Sequence, residues 1–280
     1  MIVMNRKSIF DILEEKYDFN NEFKKITYLF NRNVVRGDGY GYPIETLVNN
    51  VFHTWKARGS CINCADMRKE LEIDTIVKLE KNSPEQIILC LEYYANILYL
   101  YSNNIVLPLG WEEINTLSLL RNNIDFLIER LHYKKHIYAE KECVLLIPND
   151  PAAVAVAEIA PKDLAFAILK YNHASLKGQV EEKRRLLQSI ANEYEDLLNN
   201  PLDGFSSYFD TARGLLNNLN IRHNNKDGKN QHALIKNMPK QELEKNYDEL
   251  YQLLLFCVLI KDNAERKKGA DELLKKLRER

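Results

Sequence analysis

Arg222 and His223 stand side by side in a polar run from Asn217 to His232, between two segments of helical pattern. A guanidinium is a permanent planar cation that grips two phosphate oxygens at once, and an imidazole exchanges a proton near neutral pH. Together they are the groups that metal-free cleavage of a phosphodiester requires. Around them Asn220, Asn224 and Asn225 offer amide hydrogen bonds, Lys226 and Lys229 offer charge, and His232 is a second proton carrier. From Arg222 to Lys240 five cations face Asp227 alone, a local excess of +4. We take Arg222, His223 and His232 as candidate catalytic residues, and Asn220, Asn224, Asn225, Lys226 and Lys229 as candidate substrate-binding residues. The same segment also reads as an interhelical loop in which asparagines cap helix ends and Gly228 turns the chain.

Other constellations are thinner. Cys61 and Cys64 have the spacing that clasps one edge of a zinc ion, but no second Cys-x-x-Cys pair completes a tetrahedral set. The glycines at 37, 39 and 41 follow a helical pattern rather than a strand and lack the Lys-Ser or Lys-Thr of a phosphate cradle, so they read as a loop. His132 and His136 would share one face of a strand. Asp150, Glu158 and Lys162 are the residue types of a metal-dependent nuclease, yet the Pro- and Ala-rich helical pattern between them does not suit paired strands. No metal and no cofactor is called for.

A formal charge of -1 in 280 residues argues against a surface built throughout to hold nucleic acid, so any polyanion site must be local. The chain shows neither an apolar run of membrane-spanning length nor a secretion signal, and five scattered cysteines do not form a disulfide framework. The expected location is the cytoplasm, with no membrane partner.

The elements that must position these residues are read from hydrophobic spacing. Helices are expected near 8–17 and 22–31, then from Pro43 through Trp55, stopping at Gly59. Ser83, Pro84 and Gln86 form a helix-start signal ahead of a stripe from Ile87 to Tyr101. A helix over 111–131 should turn Ile114, Leu117, Leu120, Ile124, Leu127 and Ile128 inward. Two β-favouring runs, 133–139 and 142–147, predict a hairpin. Helices follow over 151–159, 161–172, 178–199, 205–219 and from 239 to about 266, with a charged tail after Gly269. The expected fold is mainly α, a multi-helix bundle with one small β-hairpin near the middle. Residues 1–131 form an N-terminal helical region, and 132–280 carry the hairpin and a C-terminal bundle, as one domain or two.

The run from Leu215 to Asn225, its Lys-rich loop, and the helix beginning at Pro239 with Tyr247 to Tyr251 resemble the HEPN-type helical domains of abortive-infection and toxin systems, over roughly 150–268. The resemblance implies a helical bundle, often homodimeric, in which Arg and His at a shared cleft cut RNA without metal. Arg222 would hold the phosphate, and His223 or His232 would move the proton. The family sets its His a short stretch beyond its Arg, whereas here His223 follows at once and nine residues separate Arg222 from His232. The expectation is an endoribonuclease or RNA-binding effector of phage defence, with RNA and a second copy as partners. The alternative is a non-catalytic helical module that holds a protein encoded nearby.

Overall fold

A computed structural model describes residues 17–32, 34–35, 41–104, 111–222 and 233–278. The chain is mainly α and divides into two compact units, Met1–Leu146 and Ile147–Arg280. The division falls inside the second strand of the hairpin, so the hairpin's first strand and turn belong with the first unit, whereas a boundary at 131 would group them with the second. The expected helix over 8–17 lies outside the described residues, except for Tyr17.

In the first unit, α1 (Phe19–Phe30) starts where the Asp18 carboxylate accepts the Asn20 and Asn21 N–H groups. Two short strands, β1 (Val34–Val35) and β2 (Gly41–Tyr42), pair antiparallel as a second small ribbon that the hydrophobic pattern did not reveal. Next come α2 (Ile44–Phe52), a turn of 3-10 helix at Lys56–Arg58, α3 (Cys64–Glu70) and α4 (Ile73–Val77). The central element is α5 (Pro84–Asn104). Ser83 and Gln86 close the expected reciprocal cap: Gln86 N–H donates to Ser83 Oγ at 3.3 Å, and Ser83 N–H to Gln86 Oε1 at 2.9 Å. Ser83→Ala should lower unfolding stability by about 1 kcal/mol, visible as a drop in the thermal midpoint.

The apolar surface of α5 is broader than one stripe. Tyr93, Asn96, Ile97 and Leu100 are buried alongside Leu91, Tyr94 and Leu98, the mark of a helix surrounded by others. Phe30 stacks on Tyr94 at 4.1 Å, and the Tyr94 hydroxyl lies 3.1 Å from Thr27 Oγ1. α6 (Trp111–Arg130) buries Leu117, Leu120, Ile124, Leu127 and Ile128 as expected, but Ile114 is exposed: the packed stripe begins one turn later.

β3 (Tyr133–Tyr138) and β4 (Cys143–Pro148) form the expected hairpin. A two-stranded ribbon is unstable alone, and α5 supports this one. The Asn96 side chain accepts from Val144 N–H at 2.8 Å and donates to Val144 O at 2.7 Å, while Glu92 Oε2 accepts from Leu146 N–H at 2.6 Å. Helix side chains thus take the place of a strand along β4. Trp55 Nε1 donates to Glu142 O at 2.8 Å, securing the turn.

The second unit is built from α7 (Pro151–Ile159), α8 (Lys162–Tyr171), a 3-10 turn at Ala174–Leu176, α9 (Val180–Glu193), α10 (Glu195–Asn199), α11 (Ser206–Asn218), α12 (Ala233–Lys236) and α13 (Lys240–Arg278). The single helix expected over 178–199 is interrupted at Tyr194, whose backbone (φ -100, ψ 20) leaves the helical region. α13 is longer than its hydrophobic pattern: its last buried residue is Ile260, yet it continues through Gly269. Leu187, Ile190, Phe209, Leu216, Leu250, Tyr251 and Leu254 form the middle of this unit's core. No helix among the described residues is long and apolar enough to cross a membrane.

Candidate phosphate-gripping site at the end of α11

α11 places Phe209, Ala212 and Leu216 on its buried face and ends in a left-handed cap. Leu219 is the last residue with near-helical backbone, and Asn220 has φ 60, a conformation that asparagine tolerates better than most side chains. The Ile221 N–H reaches back to Leu216 O at 3.1 Å, and the Arg222 N–H to the same oxygen at 3.3 Å. Ile221 and Leu216 are fully buried, the apolar contact that accompanies this turn. Tyr247 of α13 donates its hydroxyl to Leu219 O at 3.5 Å. Asn220 therefore has a role the loop reading anticipates, reversing the chain at a helix end.

The cap fixes where Arg222 begins. Its side chain is 18% exposed, and Nη2 lies 3.9 Å from Glu195 Oε1 at the start of α10. That separation is too long for a hydrogen bond, and Nη2 is buried with no hydrogen-bond partner among the described residues. Glu195 is largely exposed, so the ion pair is weak. The guanidinium is thus held near a solvated carboxylate with donor capacity unspent. His223, Asn224, Asn225, Lys226, Lys229 and His232 lie outside the described residues. Lys236, at the end of α12, and Lys240, the first residue of α13, are both exposed.

The remaining sequence candidates are placed as follows. Cys61 and Cys64 are both buried; burial, then the charge of Glu45, pushes the Cys64 thiol up to about 12, and burial raises Cys61 as well. No group of three or more His, Cys, Asp or Glu among the described residues is arranged to hold a metal ion. Cys64 starts α3, its N–H donating to Asn49 Oδ1 at 2.9 Å. His132 and His136 are exposed. Asp150 is structural: Oδ1 accepts from Ala152 and Ala153 N–H to cap α7, and Oδ2 accepts from Asn172 and Gln252. Glu158 and Lys162 are exposed.

A polar cluster that the motif search missed holds the second unit together. Lys183 of α9, with its side chain only 8% exposed, sets Nζ 2.9 Å from Glu244 Oε1 and 2.8 Å from Asp248 Oδ1, both on α13. The Tyr171 hydroxyl donates to Asp248 Oδ1 at 3.0 Å, its ring stacks on Tyr251 at 4.1 Å, and Lys183 Nζ lies 5.2 Å from the Tyr171 centroid. Gly178 N–H donates to both Glu244 oxygens. Next to Lys183, the buried Arg184 bonds Glu181 through Nε at 3.2 Å and keeps Nη1 without a hydrogen-bond partner among the described residues. A signal was present: Lys183 and Arg184 occupy the turn between Val180 and Leu187 where an amphipathic helix would carry apolar residues.

Glu244 gives this cluster a pH dependence. Burial pulls its carboxyl upward, but the Gly178 N–H and the hydrogen bond and charge of Lys183 outweigh burial and hold it below the usual carboxylate range. A depressed folded-state value contributes stability that is present above the unfolded value of about 4.3 and is lost as pH falls through the folded value. Glu244→Gln should therefore destabilise the protein near neutrality, and the gap from wild type should close as thermal melts are taken below about pH 4.

No protein-family model, curated protein or solved structure matches this chain.

Proposed function

We propose that this chain is a HEPN-like RNA-acting effector, a metal-independent endoribonuclease or RNA-binding protein of phage defence or a toxin system, working in the cytoplasm as a homodimer. The observation that carries this reading is Arg222: a buried guanidinium nitrogen with no hydrogen-bond partner among the described residues, anchored by a helix cap and followed at once by His223. In the proposed reaction a ribose 2′-hydroxyl attacks the adjacent phosphate, Arg222 neutralises the charge that develops on the phosphoryl oxygens, and His223 or His232 moves the proton. Asn220, Asn224, Asn225, Lys226 and Lys229 would line the path of the backbone. Asn220 does so chiefly by turning the chain, given its left-handed backbone.

A second reading has its own support. The left-handed cap and the Glu195 ion pair account for Asn220 and Arg222 without any substrate, as in a non-catalytic helical module that binds a protein encoded nearby.

The test is cleavage of single-stranded and structured RNA with chelator present. Arg222→Ala and His223→Ala should each reduce cleavage by about 10²-fold or more while the far-ultraviolet spectrum is unchanged. Undiminished cleavage by both variants rejects the catalytic assignment, and absence of cleavage by the wild type favours the interaction module.

A further inference from the structure

Arg222 faces the Glu195 carboxylate, and the two members of this pair are held very differently. The backbone of Arg222 is pinned by the left-handed cap, with the fully buried Ile221 beside it. Glu195 opens α10 directly after the helix break at Tyr194, so its position owes nothing to that cap. The guanidinium is 18% exposed and the carboxylate 57% exposed. Nη2 of Arg222 is closed to solvent and has no hydrogen-bond partner among the described residues. At 3.9 Å the carboxylate gives that nitrogen an opposite charge but no hydrogen bond. A ligand oxygen in closer contact would give it both, once the group standing there moves aside. Glu193 and Asp196 are exposed anions on either side in sequence, but among the described residues Glu195 is the one within ion-pair distance of the guanidinium.

We propose that Glu195 is an internal counter-ion of Arg222 that an RNA phosphate displaces on binding, so that it sets how tightly the site holds its substrate. The inference rests on reading Arg222 as the phosphate contact. A phosphodiester carries one negative charge and two free oxygens, which match the fork of a guanidinium in a way that a carboxylate held 3.9 Å away does not. Two anions beside one guanidinium repel each other, and the one that leaves is the carboxylate already in contact with water. A partly exposed ion pair is weak enough to be broken in this exchange. The consequence is a tax on affinity: while Glu195 stands against Arg222 the site is not ready for phosphate, and the apparent affinity falls by the fraction of molecules so occupied. Glu195 is thus a positioning residue, acting on substrate through Arg222.

The test measures binding of the full chain to a short single-stranded RNA whose riboses are 2′-O-methylated, so that it is held but not cut. Glu195→Gln, which keeps the shape and removes the charge, should tighten binding about threefold, the scale of one partly exposed ion pair. Asp196→Asn makes the same change in net charge one residue away and should leave binding as it is. The gain should vanish when Glu195→Gln is combined with Arg222→Ala, since the counter-ion then has nothing to neutralise. A merely structural role for Glu195 predicts the opposite sign, weaker binding with a lower thermal midpoint. The proposal is overturned if Glu195→Gln binds no tighter than wild type, if Asp196→Asn tightens binding equally, or if the gain survives without Arg222. Weaker binding by Arg222→Ala with no gain from Glu195→Gln removes only the role assigned to Glu195. If Arg222→Ala binds as tightly as wild type, or if neither wild type nor Glu195→Gln binds, the phosphate reading of Arg222 fails and this inference falls with it.

Discussion

Replacing Lys183 with methionine is expected to destabilise the protein by about 3 kcal/mol, the scale of removing one partner from a buried ion pair. The ammonium is nearly enclosed, and its loss leaves Glu244, itself mostly buried, with the Gly178 N–H and the more distant charge of Lys177. Asp248 is about half exposed and recovers solvent, which keeps the effect from being larger. The stacked Tyr171 and Tyr251 rings also lose the cation beside them. Denaturant titration followed by circular dichroism measures the loss. The double variant Lys183→Met with Glu244→Gln should recover part of it, since no unpaired charge is then left buried. A shift below about 1 kcal/mol would mean that the cluster is solvated and contributes like an ordinary surface pair.

Asn96→Leu should cost the first unit about 2 to 4 kcal/mol, because two buried backbone groups of Val144 lose their partners together. Leucine has the branching of asparagine but can neither donate nor accept, so packing alone cannot rescue the site. The local signature is faster amide exchange at Val144, on the side of β4 that α5 closes. Unchanged exchange there would show that water replaces the amide without penalty, and the role assigned to Asn96 would fall.

What sequence revealed and what it concealed follow from the range over which each interaction acts. The Ser83 and Gln86 cap lies within one helical turn, and both of its hydrogen bonds form as the residue types dictate. The hairpin was equally legible, because β-favouring runs on either side of a short charged turn are a local pattern. Lys183 was not, because one of its partners lies 65 residues away along the chain, and no local rule pairs a lysine on one helix with carboxylates on another. Asn96 was hidden for the same reason, its contact spanning 48 residues. At the candidate site, the adjacency of Arg222 and His223 drew attention to the polar run, and the structure gives Asn220 a backbone role and Arg222 a sheltered guanidinium. The position of Arg222 depends on the left-handed turn at Asn220, which residue types alone suggest only as one use of asparagine among several.

The length of α13 has a consequence for reach. From Lys261 to Arg278 the helix has left the core behind and carries Leu273, Leu274 and Leu277 in the open. At the rise of an α-helix this stretch extends about 27 Å, a distance comparable with the width of a small domain. Backbone hydrogen bonds and pairs within the helix, Arg266 with Asp262 and Lys267 with Asp271, line this stretch, well along the chain from the clasp around Lys183. Whatever those leucines meet, they meet it at arm's length from the helix end where Arg222 is held.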